Sequence, residues 1–140
     1  SKRATQRGEV LGWVALRQLS EEAARPLVDE LRLQTTPAPR LGTLGYRLGS
    51  LPAGSSWLSA GLENPWPEVR QAALSRIDAP CSEDAMERLA ELGGPTAKGG
   101  DRDGAVARSA TQALGRCGGD KARNLLADLL EVGRSDAGAG

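Results

Sequence analysis

The apolar residues of this chain recur at steps of three and four. Val69, Ala73 and Ile77 stand four apart, and Val106, Ala110 and Leu114 reproduce those steps 37 residues later. The offset continues beyond the first helix of each unit: Ala85 maps to Ala122, Leu89 to Leu126, Ala90 to Ala127 and Leu92 to Leu129. Seven apolar positions in one register define an internal repeat, each unit reading as a helix, a short turn and a second helix. Upstream, Leu11, Ala15 and Leu19 keep the four-step rhythm, with Leu27 and Leu31 on a second helix. Leu41, Leu44, Leu48 and Leu51 follow at helical spacing, and Trp57, Leu58 and Leu62 supply their partner. The pattern predicts one all-α domain over residues 1–140, with eight helices in four antiparallel pairs. They lie near 5–19, 21–34, 38–51, 55–63, 67–78, 82–93, 104–117 and 120–132.

Local chemistry places the ends of these helices. Ser20 and Ser82 suit N-caps, each followed by two acids that favour a helix N-terminus (Glu21-Glu22 and Glu83-Asp84). Pro37 and Pro67 suit first turns, where the missing N–H costs nothing. Gly93-Gly94 and Gly118-Gly119 stand where a left-handed residue ends a helix. Residues 93–104 form a Gly-rich inter-repeat loop, either a mobile linker or an insertion that carries contacts. Gly42, Gly45 and Gly49 punctuate one apolar helix and read as sites of close helix–helix approach.

Composition narrows the chemistry. Apolar content is 39%, mostly Leu and Ala, with no Phe and a single Ile, which suits thin helical layers. The absence of His removes the commonest general base, the Ser/His/Asp triad and every His-based metal site. Two cysteines are too few for a structural zinc. The string Gly94-Pro95-Thr96-Ala97-Lys98-Gly99-Gly100 fails the P-loop pattern, and Asp101-Arg102-Asp103-Gly104 fails that of a calcium loop, with Gln112 where a bidentate Glu belongs. The reading is a non-enzyme with no cofactor and no metal. No apolar run reaches the ~18 residues that cross a bilayer, so no membrane insertion is expected. The opening Ser1 and the closing Gly-Ala-Gly suit a fragment of a longer array or a processed form. Arg in excess of Lys, with abundant Ala and Gly, suggests a bacterial, GC-rich source.

Pro67-Glu68-Val69-Arg70-Gln71-Ala72-Ala73-Leu74 resembles the first helix of HEAT-like repeats. In these a proline turn leads into an acidic residue, Val-Arg and a pair of small residues. Ala113-Leu114-Gly115-Arg116 is similar to the end of that helix in the next unit. The resemblance is clearest over residues 58–132 and looser over 5–57. It departs from the family where Ala107 stands in the place of Arg70, and in the long loop between the two units. It implies an α-solenoid of about four antiparallel helix pairs that acts as a protein–protein interaction scaffold. A minority of relatives bind nucleic acid or are lyases that attach bilin chromophores to other proteins.

Charge sorts by helix. The chain is neutral, with 18 Lys+Arg and 18 Asp+Glu. First helices and their lead-ins carry eleven bases and five acids; second helices carry twelve acids and five bases. Acids at N-termini and bases at C-termini account for part of this, yet seven acids against five bases remain on the second helices. In such solenoids second helices line the concave surface, which would then be acidic and take a partner with a basic surface. The candidate contacts are Asp84, Glu87, Glu91, Asp128 and Glu131. Trp66, between Pro65 and Pro67, either packs on Leu62 as a hydrophobic staple or serves as an exposed anchor. A nucleic-acid partner on the basic convex side is the alternative, disfavoured by zero net charge; a bilin-lyase-like accessory enzyme rests on the resemblance alone.

Cys117 aligns in the repeat with Pro80, one position from Cys81. Equivalent turns of adjacent units stack roughly 10 Å apart, and a one-residue offset can shorten this to the ~5.5 Å of bridged Cα atoms. Cys81 and Cys117 are therefore either a disulfide or two ordinary buried thiols. The compartment follows the same choice: cytoplasmic by default, outside the reducing cytoplasm if the bridge forms.

Overall fold

The computed structural model describes residues 2–33, 39–48, 60–96 and 99–139, and these contain helices but no strand. The helices are α1 (Lys2–Leu16), α2 (Glu21–Leu33), α3 (Pro39–Leu48), α4 (Pro67–Ser75), α5 (Glu83–Gly93), α6 (Gly104–Cys117) and α7 (Gly119–Ala139). Each overlaps a predicted helix, although α1 lies three residues earlier than expected, α4 ends three residues sooner and α7 runs seven residues past 132. Residues 60–62 are also helical. The rest of the helix expected near 55–63, with Trp57 and Leu58, lies outside the described residues, as do Pro37, Gly49, Leu51 and Lys98.

The predicted caps are present where a short side-chain oxygen was required. Ser20 Oγ accepts from the Ala23 N–H (3.2 Å) and Ser82 Oγ from the Ala85 N–H (3.1 Å). Pro67 opens α4. Asp103 Oδ1, which the sequence placed only in a failed calcium loop, caps α6 by accepting from the N–H groups of Ala105 (2.9 Å) and Val106 (3.1 Å). Gly118 and Gly119, at φ 69° and 86°, turn α6 into α7 through backbone that favours glycine. Two expectations are corrected. Gly94 sits at φ −88°, so α5 ends without a left-handed residue, its last turn closed by the Gly94 N–H on the Glu91 carbonyl (3.1 Å). Leu19 lies past α1, which ends in i→i+3 bonds at Arg17, Gln18 and Leu19, and is 37% exposed.

The chain forms two compact units, residues 1–73 and 74–140. In the first, the principal helix–helix contact among the described residues is α1 on α3. It is a contact between backbones. A Cβ on Gly45 would overlap the Gly8 carbonyl, one on Gly12 would overlap the Leu41 carbonyl, and one on Gly8 would stand 2.9 Å from the Gly42 carbonyl. Gly45 thus has the packing role its spacing suggested, whereas a Cβ on Gly42 would meet nothing. Asn64 is buried nearby and fully engaged. Its Nδ2 donates to the Trp13 carbonyl (2.9 Å), its Oδ1 accepts from the Trp66 N–H (3.0 Å), and its carbonyl accepts from Arg70 Nη1 (2.9 Å). Trp13, Leu41 and Leu62 are buried in the same unit.

In the second unit α5 packs on α6 and on α7, and α6 packs on α7. Leu74, Leu89, Val106, Ala110, Ala113 and Leu114 are fully buried, each large aliphatic among them contributing roughly 2 kcal/mol. Close approach of α5 to α6 depends on Gly93, where a Cβ would stand 2.5 Å from Thr111 Oγ1. The Sγ atoms of Cys81 and Cys117 are bonded, with their Cα atoms 5.5 Å apart. Beside the bridge, Arg116 Nη2 donates to the Leu74 carbonyl (2.8 Å) and Nε to the Ile77 carbonyl (3.1 Å). The end of α6 is therefore tied to residues 74–81 by one covalent and two charge-assisted links. No helix among the described residues is long and apolar enough to cross a membrane.

Candidate partner-binding surface

The second helices of the two clear repeats, α5 and α7, lie against each other in the second unit. Over residues 83–93 and 119–131 they carry seven carboxylates and three bases. The bases are engaged within this surface. Lys121 Nζ donates to Glu87 Oε1 (2.8 Å), Arg88 pairs with Glu91 (3.2 Å) and Arg123 with Asp120 (2.7 Å). The Lys121 ammonium is held above the usual lysine range, chiefly by its hydrogen bond to Glu87, with the charges of Glu83 and Asp84 acting in the same direction. Asp84, Asp128 and Glu131 are exposed and take no ion pair among the described residues. The surface thus keeps uncompensated negative charge after its own pairs are made.

Between α5 and α7 is a groove of about 300 Å³, lined by Ala90, Glu91, Gly94, Pro95, Leu125, Asp128 and Leu129. Of the residues singled out from sequence, Glu91 and Asp128 meet at this groove; Asp84 and Glu87 lie elsewhere on α5, and Glu131 on α7. Trp66 belongs to the first unit. Its ring is half-buried, with the Arg25 guanidinium carbon 4.6 Å from its centroid, and Arg25 is itself paired with Glu21 (3.3 Å) and Glu68 (3.7 Å). A ring face covered by a cation in this way is a cation–π tie within the unit.

Two residues of the groove's apolar wall, Ala90 and Leu129, stand at positions shared between the units, which by itself signals packing and no groove. Leu125 is not shared: its counterpart 37 residues earlier is Arg88. That exchange of Arg for Leu was the available signal. Pro95 comes from the inter-repeat loop, which is pinned to the end of α5. The Asp101 N–H bonds the Leu92 carbonyl (2.9 Å) and the Gly100 N–H bonds the Pro95 carbonyl (2.9 Å). A Cβ on Gly100 would overlap the Gly94 carbonyl, so the close fold-back requires glycine there.

On the first helices, two of the arginines counted toward a basic face are spent on backbone. Arg70 Nη1 donates to the Asn64 and Pro65 carbonyls (2.9 and 3.1 Å), and Arg116 to those of Leu74 and Ile77. No protein-family model matches the chain, and neither a curated protein nor a solved structure matches it at a significant level.

Proposed function

We propose that this protein is a HEAT-like α-solenoid module that binds another protein through its second-helix surface and performs no chemistry of its own. Surplus negative charge on α5 and α7, with Asp84, Asp128 and Glu131 taking no ion pair among the described residues, is the observation that carries this reading. Thin helix pairs gain stability by stacking on their neighbours, and the same stacking lays out an ordered surface for recognition. In HEAT-like arrays this is the concave surface, and a partner with Lys and Arg would be steered to it. A nucleic-acid partner would draw on the bases of the first helices, and of these Arg70 and Arg116 are committed to carbonyls.

The test is affinity capture from source-cell extract on the wild-type chain and on an Asp84→Lys, Glu131→Lys variant, eluted in rising salt, with proteins and nucleic acids identified together. A protein retained by the wild type, released by salt and lost from the variant supports the reading. Retention unchanged by the reversal rejects the acidic surface, and nucleic acid as the main retained species rejects protein binding.

A further inference from the structure

The groove between α5 and α7 combines three features. Its lining is apolar over Ala90, Gly94, Pro95, Leu125 and Leu129; the acidic residues Glu91 and Asp128 border it; and one wall, Pro95, comes from the loop pinned to the end of α5. A volume of about 300 Å³ is at the bottom of the range for small-molecule sites and suits one large side chain. The two carboxylates are not equivalent. Glu91 shares its charge with Arg88, whereas Asp128 takes no ion pair among the described residues.

We propose that this groove receives a single large aliphatic or aromatic side chain of a partner segment in which that residue is flanked by Arg or Lys. The inference rests on the protein-binding reading above and names its recognition element. The apolar side chain is desolvated against Leu125, Leu129 and Pro95, as buried anchors are at protein interfaces. The flanking cation meets Asp128 at once and Glu91 by displacing Arg88. An acidic segment is repelled by the same pair, so the groove discriminates by charge and by shape. Pro95 makes the inter-repeat loop part of the specificity.

A random peptide library is panned on the full-length chain, and peptides of the enriched consensus are measured by fluorescence anisotropy. The expected consensus is a large apolar residue with Arg or Lys within one helical turn. Ala90→Trp, which fills the groove, should weaken those peptides by roughly tenfold or more. Asp128→Lys, on an exposed side chain that leaves the fold intact, should weaken them by roughly threefold to tenfold, and more so at low salt. A circular-dichroism melt verifies that Ala90→Trp is folded; if it is not, Asp128→Lys decides. An acidic consensus, no enrichment, or affinity unchanged in the deciding variant overturns the proposal. Loss on Asp84→Lys, Glu131→Lys with retention on Ala90→Trp overturns the groove while leaving the acidic surface standing.

Discussion

In residues 1–73 two helices meet through their backbones, with Gly8, Gly12 and Gly45 at the contact; in residues 74–140 they meet through Leu, Val and Ala side chains, with a disulfide and Arg116 pinning one end. The contrast shows two ways for a chain without Phe to build a core. Removing side chains lets carbonyls approach closely, but a single methyl then has nowhere to go. Interdigitating side chains tolerate variation, and the repeat can then drift at exposed positions. Leu89 is fully buried where α5 packs on both α6 and α7, while its counterpart Leu126 is half-exposed. Gly93 admits α6, while its counterpart Leu130 is 65% exposed. Equivalent positions in the repeat carry different duties because their neighbours differ.

The largest effect expected falls on the second unit. The bridge spans a sequence separation of 36, and chain-entropy arithmetic for a loop of that length gives about 4 kcal/mol. Cys81→Ala with Cys117→Ala should lower unfolding stability by that order in a urea titration. A loss well under about 1 kcal/mol would mean that Arg116 alone holds the junction.

Two glycines, one in each unit, should respond with opposite signs. Gly45→Ala drives a methyl into the Gly8 carbonyl and should cost about 3 kcal/mol. Gly115→Ala, on α6 with nothing within 4 Å of the new Cβ, should instead stabilise by roughly 0.5–1 kcal/mol. Thermal melts of the pair read both signs, and equal effects would break the comparison. Between them in size stands Asn64→Ala, which strips partners from the Trp13 carbonyl and the Trp66 N–H and should cost roughly 2 kcal/mol.

The smallest effect is electrostatic. The folded state favours the protonated Lys121 beside Glu87, so its stabilising share is present below the ordinary lysine range and is lost as pH rises through the elevated folded value. Melting curves of the wild type and Glu87→Gln should therefore differ slightly at neutral pH and converge in strong alkali. A gap that widens with pH would contradict the pairing.

Much of the helix pattern could be read directly. Four-residue steps, Ser20, Ser82 and Pro67 placed the helices because each acts over one turn of backbone, where sequence neighbours are also spatial neighbours. The close approach of Gly45 was legible from glycines spaced along one apolar helix, and the register of Cys81 with Cys117 because the repeat supplied a distance across the chain. Asn64 was not, since a polar residue in a turn gives no sign that it will be buried against the Trp13 carbonyl. Nor was the groove: Leu125 became a wall only when α7 lay beside α5, and Pro95 only when the loop folded back.

By itself, then, the sequence determined where the chain is helical, which serines cap α2 and α5 and which helices carry the acids, all consequences of local hydrogen bonding and side-chain period. Tertiary structure alone decided which helices touch, which arginines are consumed by carbonyls, and that Asp128 borders an apolar groove with no ion pair among the described residues. Those outcomes depend on distances between residues far apart in the chain, and no local rule encodes them.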